Sequence, residues 1–122
     1  PRRATGEPGP RRVGVVMPAY LLRGSYTREG YQGLVNEGGS GRREAAEQAL
    51  ASVGGRLEAF YFALGADDFF IIAELPDSPT TVAVSLAGKL SGAFDISATA
   101  LLTPEEMDVA VSKTVDFRPP GA

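Results

Sequence analysis

Residues 57–75, LEAFYFALGADDFFIIAEL, decide the fold because they contain two aromatic and β-branched runs around a short turn. Such runs are typical of β-strands, and the residues between them, Gly65 to Asp67, suit a three-residue hairpin loop. Pro76 marks the end of the second run, since proline cannot donate a hydrogen bond to a neighbouring strand. We therefore predict a hairpin with strands over 57–64 and 68–75.

Upstream of the hairpin, the sequence predicts a strand followed by a helix. Residues 19–26, AYLLRGSY, are aromatic and aliphatic, as expected of a strand. A short turn or helical piece over 27–35 and a loop over 36–41 come next. Apolar residues then recur at helical spacing over 42–53, and two glycines stop this first helix.

Downstream of the hairpin, the same order of elements is repeated and one helix is added. Asp77 or Ser78 is expected to cap a second helix with the same apolar spacing as the first. Residues 94–102 alternate between apolar and mostly polar residues, which predicts a half-buried strand. Thr103 begins a capping box with proline at the first helical position, so a short helix should extend to about Lys113.

This order of elements predicts an α+β fold. Two βαβ units with right-handed crossovers give a four-stranded antiparallel sheet in the spatial order 4-1-3-2. Both crossover helices then lie on one face of the sheet. The prediction is a ferredoxin-like βαββαβ domain with a short C-terminal helix.

Length and composition favour one folded domain with an arm and a tail. The chain has 122 residues, of which 43% are hydrophobic, and this length suits a single core. Residues 1–16 are rich in Arg, Pro and Gly, so we expect a disordered arm there. The folded domain is predicted over 17–113, with Met17 as its natural beginning, and a tail over 114–122.

Composition also limits the chemistry. The chain contains neither Cys nor His, which removes the usual zinc, copper and haem ligands, and we expect no cofactor. Asp67 and Asp68 supply too few oxygen ligands for Ca²⁺ or Mg²⁺, so no metal site is predicted. The net charge is −3, and it is more negative beyond the basic arm, which argues against a nucleic-acid partner. No apolar run is long enough to span a membrane, and we expect a cytoplasmic protein.

The predicted hairpin is apolar on both faces. If Leu64 lies opposite Asp68, then Phe62 lies opposite Phe70 and Phe60 lies opposite Ile72. Two helices can cover only one face of a sheet. The C-terminal helix could cover the other face, but a second subunit packed sheet against sheet is favoured, which makes the protein its own partner. The predicted interface residues are Phe60, Phe62, Phe70 and Ile72.

Glu58 and Glu74 are the candidate catalytic residues, because the same register places them opposite each other. Two facing carboxylates on an apolar surface repel, and one of them could hold a proton and act as a general acid or base. The alternative is that both glutamates lie at the solvent-exposed end of the hairpin and pair with Arg56 or Arg23.

Three tyrosines and one arginine are candidates for ligand binding. Tyr20, Tyr26 and Tyr61 could donate hydrogen bonds to a ligand in a cavity, although aromatic residues on strands more often belong to a core. Arg42 or Arg43, after a glycine-rich loop, could hold a phosphate or carboxylate at a helix N-terminus, whereas a plain flexible loop is the alternative.

The sequence resembles the GYD-domain family of small bacterial proteins. The resemblance rests on MPAYLLRGSYT, SGRREAAEQALASVGG, AFYFALGADDFFIIAELPD and ALLTPEEMD, and it covers Met17 to about Lys113. It implies a fold similar to the ferredoxin-like dimeric α/β-barrel proteins. One departure is at the turn, where the family tends to carry Gly, a spacer, Tyr and Asp, and this chain has Gly65, Ala66, Asp67 and Asp68.

The predicted function is a self-associating module whose intersubunit cavity binds a small organic molecule. The alternative is a cofactor-independent enzyme, an isomerase or a monooxygenase-like protein, with Glu58 or Glu74 as the general base. Enzymes occur among the dimeric α/β-barrel proteins, so this alternative rests on analogy of fold.

Overall fold

The computed structural model describes residues 17–121, and over this range the elements follow the predicted order. The predicted arm over 1–16 lies outside the described residues, as does the last residue of the predicted tail. The helices and strands are β1 (Ala19–Tyr26), α1 (Arg28–Ala51), β2 (Arg56–Phe62), β3 (Phe69–Glu74), α2 (Ser78–Leu90), β4 (Phe94–Leu101) and α3 (Pro104–Val111).

The strands form one antiparallel sheet in the order β2-β3-β1-β4. This order is the predicted 4-1-3-2 arrangement, so the α+β, ferredoxin-like fold is confirmed. α2 packs over β4, whereas α1 packs over β2 and β1. No helix within residues 17–121 has the length and apolar character needed to cross a bilayer.

The core lies between the two crossover helices and one face of the sheet, which we call the helix face. Paired residues on neighbouring strands point to the same face of a sheet. Leu22 on β1 lies opposite Ile71 on β3, which lies opposite Phe60 on β2, so these three residues share the helix face. Leu22 and Ile71 are buried, and Phe60 is partly buried against the same cluster. Leu50 on α1 covers this cluster from the helix layer.

The opposite side of the sheet, which we call the open face, carries the alternate residues of the same strands. Leu21 lies opposite Ile72, and Arg23 lies opposite Phe70, which in turn lies opposite Tyr61. Tyr61 is 69% exposed and Ile72 is 38% exposed. The C-terminal helix does not cover this face by burying its own side chains, because α3 has no buried residue.

The first helix begins earlier than predicted. α1 begins at Arg28, with Thr27 as its N-cap, and extends through the stretch 36–41 that was predicted to be a loop. The helical geometry is broken only at Gly38, where φ is +80°, a backbone conformation that glycine adopts without strain. The predicted loop is therefore wrong, because one glycine changes the direction of the chain and the helix resumes directly after it.

The predicted hairpin register is wrong by one residue. Phe62 lies opposite Phe69, and Phe60 lies opposite Ile71. The loop is one residue longer than predicted, because the Ala63 N–H donates to the carbonyl of Asp68 at 2.8 Å. The Asp68 N–H donates in turn to the carbonyl of Gly24 at 2.7 Å, so Asp68 is held by β1.

This shift separates the four predicted interface residues. A slip of one residue moves a side chain to the opposite face of a sheet. Phe60 and Phe62 lie on the helix face, with their ring centroids 4.9 Å apart, whereas Phe70 and Ile72 lie on the open face. The expectation of a single surface formed by all four residues is therefore wrong.

Candidate functional site

A cavity of about 480 Å³ lies between the helix face of the sheet and the two crossover helices. Short side chains on the helix residues that face the sheet leave the space above the aromatic strands unfilled. These residues are Gly33, Ala45, Ala46 and Ala49 on α1 and Ala83 and Ala87 on α2. Gly30 and Gly88 also line the cavity, but they allow close packing, since a Cβ there would meet the Ala93 carbonyl oxygen or the Phe94 ring. The cavity lies within a single chain and is distinct from the intersubunit cavity that the sequence predicts.

The floor of the cavity is aromatic. Tyr26, Phe69 and Phe94 form a triangle of rings, with centroid distances of 5.4 Å, 6.0 Å and 5.6 Å. Phe60 extends this floor from β2, with its ring centroid 6.3 Å from that of Phe69. The space is therefore suited to an apolar molecule that contains a ring.

The charged and polar groups of the cavity are few, and two of the charged ones, Glu37 and Arg42, lie on the two sides of the break in α1. The Arg42 Nη1 donates to Glu37 Oε1 at 3.2 Å, across Gly38. The Arg42 guanidinium also interacts with the hydroxyl of Tyr26. Burial raises the pKa of Tyr26, although Arg42 acts in the opposite direction, so this hydroxyl keeps its proton at neutral pH. Glu29 is a further acidic residue of the lining.

Asp68 fixes the end of β1 next to this site. Its Oδ2 accepts a hydrogen bond from the Tyr26 N–H at 2.8 Å and another from the Tyr31 hydroxyl at 2.6 Å. The bond to Asp68 raises the pKa of Tyr31. The Tyr31 ring lies 5.6 Å from that of Tyr26. Asp68 is thus a structural anchor for the tyrosine whose hydroxyl faces the cavity.

Glu58 and Glu74 do not face each other as the predicted register requires. A bulge between Leu57 and Ala59 displaces Glu58, and Arg56 lies opposite Glu74. The Arg56 Nη2 is 2.7 Å from Glu58 Oε2 and 3.1 Å from Glu74 Oε1. Neither glutamate lines the cavity. The geometry therefore matches the ion-pair alternative with Arg56 and offers no enclosed site for a general base.

The four predicted ligand-binding residues separate into two pairs. Tyr26 and Arg42 line the cavity, and Arg42 does so from within α1 and not from a helix N-terminus. The Tyr20 hydroxyl lies 3.2 Å from the Ser78 hydroxyl, away from the cavity lining, and Tyr61 lies on the open face. In the part of the chain that the structure describes, no group of three acidic residues could hold a metal ion.

Sequence reasoning missed Tyr31, Glu37 and the small residues of the helices. The small residues carry a detectable signal, since glycine and alanine occupy many of the inward positions where larger residues would fill a core. Tyr31 falls in the stretch 27–35 that was predicted as a short turn or helical piece, and Glu37 falls in the predicted loop over 36–41, so neither was placed on the face of a continuous helix.

A sequence model of the GYD domain family matches residues 20–111, which include all of the helices and strands except the first residue of β1. No significant match occurs among curated proteins or among solved structures. The family match agrees with the resemblance inferred from the sequence. It also covers the residues of the cavity and of the open face.

Proposed function

The chain belongs to the GYD domain family, and we propose that it acts as a self-associating protein that binds a small organic molecule inside each subunit. The observation that carries the proposal is the apolar open face of the sheet. Leu21 pairs directly with Ile72, and Tyr61 on the edge strand pairs with Phe70, which lies two residues before Ile72 on the same face of β3. Ile72 and Tyr61 are exposed and Leu21 and Phe70 are half-buried, and an apolar surface of this kind is typical of protein interfaces.

The C-terminal segment, defined as residues 102–121, supports self-association independently. Every residue of this segment is exposed, including Met107, Val111 and Phe117. α3 is well capped by Thr103 and Glu106, but a helix of this length is only marginally stable in water unless it packs against something. A second copy of the chain offers the missing surface.

Charge favours the same partner. Arg23 is exposed on β1 in the middle of the open face, opposite Phe70. The first turn of α3 carries Glu105 and Glu106, and Asp108 follows. We propose that the C-terminal segment of each subunit packs across the open face of the other, with these acidic residues near Arg23.

Sedimentation velocity from low to high micromolar concentration tests the association. The wild-type chain is expected to form a dimer, and Ile72→Asp is expected to be monomeric because it places a charge in an apolar interface. Val82→Asp is the matched control, since Val82 is an exposed apolar residue of α2 on the helix side. This control should remain dimeric.

Removal of residues 102–121 tests the role of the C-terminal segment separately. The truncated chain is expected to dimerise more weakly than the full chain while keeping the same far-ultraviolet circular dichroism from the sheet. A monomeric wild-type chain at high micromolar concentration would contradict self-association. Equal dimerisation of the wild type and Ile72→Asp would show that the open face is not the interface.

The second part of the proposal, small-molecule binding, rests on the cavity. Its volume of about 480 Å³ falls in the range of ligand pockets, and apolar walls with a few polar groups are typical of such sites. A cytoplasmic location remains a prediction from the sequence.

A further inference from the structure

The cavity lining carries three charged residues, of which Glu37 and Arg42 pair with each other and Glu29 is exposed to water. Arg42 is the cationic residue of the lining, and Glu37 already accepts its hydrogen bond at 3.2 Å. An anionic ligand could gain Arg42 only by displacing Glu37, and it would also approach Glu29. A cationic ligand would have to displace Arg42 from Glu37 and leave water for a largely apolar space. The exposed Glu29 carboxylate offers a cation only a water-screened attraction, so both kinds of charged ligand lose hydration without gaining a buried unpaired partner.

One buried hydrogen-bond donor remains unused. Tyr26 is 9% exposed, and the Arg42 guanidinium interacts with its hydroxyl oxygen. Among residues 17–121, the Tyr26 hydroxyl donates no hydrogen bond to a protein acceptor. A buried donor without an acceptor is costly, so a ligand that supplies an acceptor oxygen gains a hydrogen bond there.

The shape of the site adds a second requirement. The rings of Phe69 and Phe94 flank Tyr26, and the opposite wall consists of glycine and alanine residues of the helices. A flat aromatic ring fits between an aromatic floor and a small-residue roof, because it contacts both without displacing a side chain.

We propose that the cavity binds an uncharged aromatic molecule with a carbonyl oxygen, such as an aromatic ketone or aldehyde, and that the Tyr26 hydroxyl donates to this oxygen. The inference rests on the small-molecule part of the proposed function and names the ligand class. The Arg42–Glu37 pair acts as a positioning group, because the guanidinium charge beside the hydroxyl oxygen turns the hydroxyl proton away from Arg42 and toward the ligand.

Four probes of similar size separate the ligand classes. Equilibrium dialysis at neutral pH would compare 2-acetonaphthone, 2-ethylnaphthalene, 2-naphthoate and the cationic 1-(2-naphthyl)ethylamine. The ketone is expected to bind about fivefold more tightly than the hydrocarbon, the size of one net hydrogen bond. Each charged probe is expected to bind at least about tenfold more weakly than the ketone because it must be desolvated.

Tyr26→Phe and Tyr31→Phe are matched variants that each remove one hydroxyl. Tyr26→Phe should bind the ketone and the hydrocarbon equally. Tyr31→Phe should keep the difference, because Tyr31 does not line the cavity and its hydroxyl donates to Asp68. Circular dichroism and the Tm establish that each variant is folded. If Tyr26→Phe does not fold, the infrared C=O band of 2-acetonaphthone bound to the wild type still tests the hydrogen bond, since donation lowers its frequency.

The outcomes distinguish this inference from the proposed function. If none of the four probes binds, small-molecule binding in the cavity is itself wrong. If the ketone and the hydrocarbon bind equally to the wild type, or if a charged probe binds most tightly, the cavity takes ligands but the inferred class is wrong. The inference is supported when the preference for the ketone is present in the wild type, lost in Tyr26→Phe and kept in Tyr31→Phe.

Discussion

The helix face and the open face of the sheet are built from alternate residues of the same strands, yet their surroundings are opposite. The helix face is covered, but incompletely, because small helix residues leave a cavity above its aromatic rings. The open face carries paired apolar side chains such as Leu21 and Ile72, but within residues 17–121 no helix buries its own residues against it. The helix face is therefore covered by two helices that enclose a cavity, whereas the open face is an apolar surface that no helix covers. This difference suggests that ligand binding and self-association are separate tasks of the two faces.

Substitution of adjacent leucines on β1 should give the largest difference between the faces. Leu22 is fully buried on the helix face, so Leu22→Ala should lower the free energy of unfolding by about 3 kcal/mol. Leu21 is half-buried on the open face, and Leu21→Ala should cost about 1 kcal/mol in a dilute, monomeric sample. Urea denaturation of both variants measures the difference.

Protein concentration sharpens the leucine comparison. If the open face is an interface, Leu21→Ala should lower the free energy of unfolding more at concentrations where the wild type dimerises. The difference between the effects of Leu22→Ala and Leu21→Ala should then become smaller. A cost for Leu21→Ala that equals that of Leu22→Ala at the lowest concentration would show that another part of the chain covers the open face.

Removal of the Asp68 side chain should have an intermediate effect, at the end of the sheet where β1 leads into the helix layer. Asp68→Ala removes the acceptor for the Tyr26 N–H and for the Tyr31 hydroxyl. We expect a loss of about 1–2 kcal/mol in the free energy of unfolding. Asp67→Ala is the matched control, since it removes a neighbouring carboxylate of the same loop. Equal effects of the two substitutions would mean that the loss of charge matters more than the hydrogen bonds.

The smallest expected effect concerns the helix layer and depends on pH. The Asp77 carboxylate caps α2 by accepting a hydrogen bond from the Thr80 N–H at 2.8 Å, and bonds from Thr80 lower the pKa of Asp77 below its ordinary value of 3.8. The stabilisation is therefore fully present above this ordinary value and is lost as the pH falls through the lowered pKa of the folded state. Asp77→Asn should lower the Tm by a few degrees at neutral pH, and the difference should disappear in acid. A constant difference in Tm down to low pH would contradict a role for the charge of the cap.

Local sequence signals predicted most of the elements and their order. The strand over Ala19–Tyr26 was predicted with its observed bounds, and the capping box at Thr103 is present. Both depend on residues that are close in sequence. The strand order 4-1-3-2 also followed, because crossover handedness leaves few ways to arrange two βαβ units.

Features that depend on contacts between distant residues were not predictable in the same way. The hairpin register is fixed where the backbone of Asp68 bonds to Gly24, a residue on another strand, and no pattern within the hairpin reveals that bond. Residues 27–35 were predicted only as a short turn or helical piece, and residues 36–41 as a loop, because several glycines disguise the helical period.

The sequence by itself determined the α+β class, the strand order and the presence of two apolar sheet faces, since these follow from composition, spacing and chain handedness. The tertiary structure alone decided which aromatic residues lie on which face. It also decided that Arg56, and not Glu58, lies opposite Glu74, and that Arg42 lies near Tyr26 at the cavity. The physical reason is that a one-residue change in register inverts a strand, and a single break at Gly38 redirects a helix. Neither event changes the local pattern from which a sequence is interpreted.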